Sequence, residues 1–434
     1  MKVRMTALVL ALVLALGTVP ALAQEPAEGE AEDQGAASAQ DQTDTAEGEA
    51  AQESSPAGPD QDEAEMEPDP EGTVRFTNLE RRIRESNLQI QALDENIAAL
   101  EEVDYEDLEE TWRQALNGLA TGQLVAGMMG DTYAENTCKQ SYDALREQFD
   151  ALRDGELQED NAGLAWQLRN LQDQIVMGGE TLYTALAAME IQARSLERQL
   201  DAMDRTVEEM ELRHELGQIS ALQLQQTRAG RTSLASGLET LRMNLTTYKL
   251  QLELLLGEPL SGTIALDGVP EVTEEQLDAM DLERDLDRAR ENSYELYAAE
   301  QDLEDARETY RDTGAQYGYR PGDSNYTAAL HTWQAAQYTY EAAKQDYELR
   351  FRTLYAQVQD YAQVLEAART ALESQRAACE AQELKFRQGT ISQNTLLTAR
   401  DDLAAAEETV EQAEDNLFTA YNSYCWAVEH GILN

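Results

Sequence analysis

Apolar residues step along this chain by four and three. Leu182, Leu186, Met189, Ala193, Leu196, Leu200, Met203, Val207 and Met210 keep that rhythm in one tract. Leu234, Leu238, Leu241, Leu245, Tyr248, Leu252 and Leu255 keep it in the next. A mean apolar period of about 3.5 residues holds one stripe of a helix against a partner helix, so both tracts predict left-handed coiled coils. Beyond residue 72 the prolines are Pro259, Pro270 and Pro321. The long tracts between them, rich in Ala, Leu, Glu, Gln and Arg, suit uninterrupted helix. A helix over about 162–215 would run ~80 Å at about 1.5 Å per residue. The best strand candidate is "GTIAL" at 262–266.

The pattern repeats itself at a fixed offset of 172. Thr181-Leu182-Tyr183 becomes Thr353-Leu354-Tyr355, and Asn244-Leu245 becomes Asn416-Leu417. Gly217, Ile219, Ser220, Leu224 and Arg228 become Gly389, Ile391, Ser392, Leu396 and Arg400. Cys379 takes the position of Val207, which predicts a buried structural thiol. Leu79 and Ile83 match Leu282 and Leu286 more weakly, at an offset of 203. The first half then has 31 additional residues between about 98 and 180. Both that stretch and its counterpart at about 301–352 hold helix breakers, and both predict irregular tips. The first has Gly118, Gly122, Gly127 and Gly130; the second has Gly314, Gly318, Pro321 and Gly322. Each half therefore reads as helix, irregular tip, long helix, glycine turn, long helix.

Composition sets the boundaries of this pattern. Lys2 and Arg4 precede an apolar run that ends in "ALA" at 21–23, the layout of a cleavable secretory signal peptide. The run is short for a membrane span, and none of 18–20 apolar residues follows. Residues 24–72 hold 17 acidic residues and no Lys or Arg, so a disordered acidic arm is expected there. The net charge is −51, of which −36 falls on residues 73–434. Such a surface disfavours nucleic acid and anionic lipid headgroups. The expected organisation is a signal peptide at 1–23, the acidic arm at 24–72, repeat one at 73–257, a linker at 258–280 and repeat two at 281–434.

Candidate chemistry is sparse. Cys138, Cys379 and Cys425 are odd in number, and neither they nor His214, His331 and His430 have metal-ligand spacing. No nucleophilic triad or phosphate-binding glycine loop appears, and carboxylates on exposed helix faces lack a cleft to shift their pKa. An enzyme is not expected, and no cofactor or metal is called for. The two glycine turns stand out instead. Glycine allows the positive φ that ends one helix and starts its return, and Ser220 or Ser392 can cap the outgoing helix.

The plan resembles the TolC family of outer-membrane efflux proteins over about residues 75–434. "LGQIS" and "QGTIS" are similar to the family's "VG-x-[IV]-[ST]" turn, which recurs once per repeat. The opening helices resemble "L-x-x-A-L-x-x-A-L-x-x-N", carried here by Leu79 and Ile83, and by Leu282, Leu286, Ala289 and Asn292. "LELLLGEPL" resembles the end of the family's return helix. The resemblance implies a mainly all-α fold of two coiled-coil hairpin repeats and a homotrimer closing into a helical tube. It implies a passive conduit in an efflux or type I export system, docked by a periplasmic adaptor and coupled through it to an inner-membrane pump. It implies adaptor-docking turns at Leu216, Gly217, Gln218, Ile219 and Ser220, and at Gln388, Gly389, Thr390, Ile391 and Ser392.

Two departures accompany it. Family members place membrane-crossing strands at the tips, but neither 98–180 nor 301–352 offers about 9–11 alternating residues. Little or no β-barrel is expected, although the tyrosines and tryptophan at 317–340 could form either an interfacial belt or packing within a hairpin. Where the family often carries pore-entrance carboxylates, this chain has Gln223 and Gln226, then Thr395 and Thr398. An acidic gate is not supported. Two alternatives belong to other classes. One is a non-transporting structural or surface-associated coiled coil of the envelope, favoured by the missing barrel and the acidic arm. The other is a periplasmic adaptor, disfavoured by two hairpins and few strands.

Overall fold

The computed structural model describes residues 69, 70 and 72–433. The signal peptide and the acidic arm up to residue 68 lie outside the described residues. The last part of the arm is held against the body: Asp69 accepts hydrogen bonds from Asn78 (2.7 Å) and Arg82 (2.8 Å).

Among the described residues the strands are β1 (Thr73–Val74) and β2 (Ala265–Leu266), paired in parallel. β2 falls inside the expected "GTIAL". The first half then runs α1 (Phe76–Ser86), α2 (Leu88–Glu101), α3 (Tyr105–Met129), α4 (Thr132–Asp154), α5 (Glu156–Glu215) and α6 (Ala221–Leu255). A linker carrying β2 and the short α7 (Glu274–Asp278) leads into the second half. That half comprises α8 (Leu282–Asn292), α9 (Tyr294–Tyr317), α10 (Ser324–Arg387) and α11 (Gln393–His430). The fold is the expected all-α arrangement of two long hairpins, with no described strand longer than two residues. The 60 residues of α5 and the 64 of α10 would reach about 90 and 96 Å at about 1.5 Å per residue.

The glycine-rich stretches correct one expectation in part: the breaks are short turns at Gly130 and at 318–323, and the remaining glycines are helical. Gly118, Gly122 and Gly127 lie within α3, and Gly314 lies within α9. A Cβ on Gly122 would stand 3.3 Å from the Cys138 sulfur, and one on Gly314 would strike the Tyr319 ring at 2.3 Å. Gly122 and Gly314 make room for packing across α3/α4 and at the end of α9, whereas Gly118 has open space beside it. The chain turns instead at Gly130 and Gly318. Of the second-tip aromatics, Trp333 stacks on Tyr310 at 4.9 Å and Tyr326 meets Tyr310 at 5.6 Å within the hairpin, whereas Tyr338 is exposed.

A kink in each opening helix fixes the register of the halves. The Asn87 side chain caps α2 and donates to the Leu255 carbonyl (3.2 Å) at the end of α6. Ser293 caps α9, while Asn292 donates to the Val428 carbonyl (3.0 Å) near the end of α11. Asn87 and Ser293 stand 206 positions apart, not the 203 read from the leucine pattern, so the first half is 34 residues longer, not 31. Capping chemistry, not apolar matching, defines the equivalent point.

The core lies where the opening helices meet the long ones. In the first half Leu79, Ile83, Tyr183, Leu186 and Leu252 are fully or almost fully buried; in the second, Leu286, Ala289, Tyr347 and Phe351 are. The Tyr183 hydroxyl lies 2.8 Å from the Gly268 carbonyl and 3.1 Å from that of Val74, tying α5 to the linker and β1. Glu253 of α6 is buried and accepts from the N–H groups of Ser261 (2.6 Å), Gly262 (2.8 Å), Thr263 (3.1 Å) and Ile264 (3.3 Å), and from the Ser261 hydroxyl. This carboxylate shapes the start of the linker. The long helices lie in the order α6, α5, α11, α10, with α5 and α11 in contact.

Candidate functional site: the paired helical turns

The two glycine turns are one structure made twice. In the first, the Gly217 N–H donates to the His214 carbonyl (2.9 Å) and the Gln218 N–H to that of Arg213 (2.8 Å). In the second, the Gly389 N–H donates to the Phe386 carbonyl (2.9 Å) and the Thr390 N–H to that of Lys385 (3.0 Å). These paired bonds, closing over a left-handed residue, are a Schellman motif. Gly217 (φ 71°) and Gly389 (φ 72°) hold the left-handed position, which a Cβ would strain.

Each turn then caps its return helix. The Ser220 hydroxyl accepts from the Gln223 N–H (3.3 Å), and the Gln223 side-chain oxygen accepts from the Ser220 N–H (3.0 Å). That is a complete capping box. The Ser392 hydroxyl accepts from the Thr395 N–H (3.2 Å), and the two hydroxyls lie 2.9 Å apart. Gln223 and Thr395, which the resemblance sets at a pore entrance, thus serve as third residues of the caps. Gln226 and Thr398 lie one turn on, both exposed. Leu216 is 63% exposed, whereas Ile219 and Ile391 are half-buried. Leu224 and Leu396 are buried one turn from the tips.

Side-chain pairs bring the turns together at one end. Arg194 pairs with Glu411 (2.5 Å), Arg198 with Glu408 (2.5 Å) and Arg205 with Asp401, all across α5 and α11. Nearest the turns, the Asn394 amide reaches Glu209 at 3.5 Å. Glu408 is held below the usual carboxylate range: burial opposes ionisation, but Arg198, the Ser195 hydroxyl and Arg194 outweigh it. The apolar pattern missed this contact. The signal was present in the charges, since 194, 198 and 205 count up as 411, 408 and 401 count down, as antiparallel neighbours must.

Within each hairpin a second ladder forms, stepping by seven along α5, α10 and α11 but unevenly along α6. Glu190, Glu197, Asp204 and Glu211 on α5 meet Lys249, Arg242, Arg231 and Arg228 on α6. Arg369, Arg376 and Glu383 on α10 meet Glu414, Glu407 and Arg400 on α11.

Cys379 is buried, as its register with Val207 predicts, and the three thiols are unpaired. No group of three or more metal-ligating side chains suited to a metal ion occurs among the described residues.

No family model matches the chain, and no curated protein does. Solved structures do. The outer-membrane channel OprN aligns with a TM-score of 0.51 at 14% identity, covering 82% of this chain and 90% of that one. The outer-membrane protein VceC from Vibrio cholerae aligns at 0.45 and 12% identity, covering 82% and 96%. The Campylobacter jejuni outer-membrane channel CmeC aligns at 0.47 and 12% identity, covering 67% and 68%. At these identities the likeness to OprN establishes the fold, the TolC-like double hairpin.

Proposed function

We propose that this chain is the duct-forming component of a cell-envelope export assembly, a passive conduit without catalysis. The observation that carries the reading is the pair of equivalent Schellman turns, held side by side at one end of a double hairpin that shares its fold with an outer-membrane channel. In that reading three copies close a ring. The outer helices α6 and α10 meet between protomers, and their exposed Met243, Leu254, Leu349 and Val364 support such contacts. Six turns then form one mouth. Leu216, Gly217, Gln218, Ile219 and Ser220, with Gln388, Gly389, Thr390, Ile391 and Ser392, dock the hairpin tip of a periplasmic adaptor that links to an inner-membrane pump. Gln223, Gln226, Thr395 and Thr398 stand just inside that mouth, without a carboxylate ring. Photocrosslinkers at 219 and 391 in cells test this. Capture of an adaptor hairpin supports docking, and its absence with both probes expressed counts against it.

One observation favours a second reading. Where a membrane-crossing barrel would need strands, the chain has the helical pairs α3/α4 and α9/α10, and none of its described helices is long and apolar enough to cross a membrane. A non-transporting coiled coil of the envelope fits that tip. Deletion that leaves export of every compound tried unchanged, with no adaptor captured, selects this alternative.

A further inference from the structure

Between the hairpins, below the linker, α5 and α11 enclose a cleft of about 630 Å³. Its walls are partly apolar, with Ala187 and Ile191 from α5 and Leu266 and Val269 from the linker. Five carboxylates share it: Glu190, Glu271, Glu411, Glu414 and Asp415. Four have a basic partner within the protomer. Glu190 has Lys249 (2.7 Å), Glu411 has Arg194 (2.5 Å), and Glu271 (2.8 Å) and Glu414 (2.9 Å) share Arg369. Asp415 is the exception. It is 3% exposed, and its Oδ1 has no hydrogen-bond partner.

A buried carboxylate oxygen without a donor is rare, because it forfeits water and gains nothing in exchange. The other repeat carries no acid at the corresponding position. Asp415 corresponds, in the 172-residue register, to Met243, an apolar residue on the outer helix of the first hairpin.

We propose that this cleft binds a small organic monocation, an ammonium group on an apolar body, with the Asp415 carboxylate as its counter-ion. Asp415 is the one carboxylate of the five without a basic partner, and that single unengaged group selects one positive charge at the head of the ligand. The chemistry selects an amine over a metal ion, because these carboxylates do not form a group suited to metal ligation. The apolar walls receive the body while Asp415 receives the head. The inference stands whether or not the chain forms a tube.

The test uses the full mature chain and dansylcadaverine, a fluorescent primary amine, with its N-acetylated form as the uncharged control. At pH 8 the amine binds saturably, and the acetylated form neither binds nor competes. Asp415→Asn keeps the shape, removes the charge and weakens binding at least tenfold. Ala187→Phe fills the cleft, retains Asp415 and gives the same loss, so the site remains testable if one variant fails to fold by circular dichroism. Binding should fall from pH 8 to pH 5 as Asp415 takes a proton. The other titratable groups facing the cleft are Glu190 and Arg194 on α5, Glu271 in the linker, and Glu411 and Glu414 on α11. No saturable binding by the native chain up to millimolar probe overturns the proposal. So does equal affinity in Asp415→Asn, or equal binding of the acetylated probe.

Discussion

Burial and the nearby charge of Glu411 push Asp415 up to about 7. An unfolded aspartate titrates near about 3.9, so the folded state holds this proton more tightly. The contribution is therefore most favourable below about pH 4, is lost as pH rises toward 7, and stays lost above. Asp415→Asn should stabilise the chain at pH 8 by ~1–3 kcal/mol and flatten this part of the pH dependence, as urea unfolding at pH 5 and pH 8 would show. Glu253 is the opposite case. Burial raises its pKa, but the donated bonds of Gly262, Ser261 and Thr263 outweigh burial and hold it below the ordinary value. Its stabilisation is present above the unfolded value of about 4.3 and is lost as pH falls through the lower folded value. Glu253→Gln should cost ~2–3 kcal/mol at pH 7 in urea unfolding, because charge-assisted bonds are replaced and one acceptor becomes a donor. Neither behaviour was legible in the sequence. "LELLLGEPL" shows a glutamate in an apolar run but not the four N–H groups that come to meet it. The glycines were legible, because local backbone geometry sets their role. Gly217→Val or Gly389→Val should each cost ~1–2 kcal/mol for a branched side chain at positive φ, read from the midpoint of urea unfolding.

At the scale of the elements, the charge ladders within the hairpins do more than decorate the surface. Glu197 and Asp204 correspond to Arg369 and Arg376 in the 172-residue register. The polarity of the two hairpins is therefore exchanged at these two rungs. If α5 took α11 in the register that α10 uses, Glu197 would face Glu414 and Asp204 would face Glu407. Like charges at both rungs disfavour the swap, even though the apolar seams of the two halves are alike. Each exposed pair is worth only ~0–1 kcal/mol, so the expected effect is on pairing more than on stability. Arg369→Glu with Arg376→Glu should yield mispaired or swapped species on native mass spectrometry, and adding Glu407→Arg with Glu414→Arg should restore one species. A different link joins α5 to the end of α11. His430 Nδ1 lies 3.0 Å from Asp173. Burial opposes the imidazolium, but Asp173 outweighs it and raises the His430 pKa. That stabilisation is complete below the unfolded value of about 6.5 and is lost as pH rises through the folded value. The ladders were readable as spacings, once the direction of each helix was known. The His430 contact joins residues 257 positions apart and was not.

For the whole molecule, the layer order α6, α5, α11, α10 leaves α6 and α10 as outer edges. Closure into a ring requires α6 of one copy to meet α10 of the next. Met243 and Val364 are exposed on those two helices. They lie at similar heights, because 243 corresponds to 415 and Glu414 pairs with Arg369. Cysteines at both positions, in a background free of the native three, should give crosslinked trimers and no larger closed species on denaturing gels. Crosslinking that ends at dimers overturns the ring, and negative-stain images would show the same outcome directly.

The sequence by itself determined the helical class, the doubled plan, the position of both glycine turns and the scarcity of barrel strands. All of these follow from local rules: a 3.5-residue apolar period, a glycine with positive φ, a serine cap, and the absence of alternating runs. The cap roles of Gln223 and Thr395 belong with the local rules, since each lies three residues after its capping serine. The tertiary structure alone decided that Gly122 and Gly314 sit inside helices, because a packed neighbour at the right distance changes a breaker into a spacer. It also decided that one of five clustered carboxylates lies buried with an unpartnered oxygen. A carboxylate's role depends on which bases the fold carries toward it, and that depends on how helices far apart in sequence align.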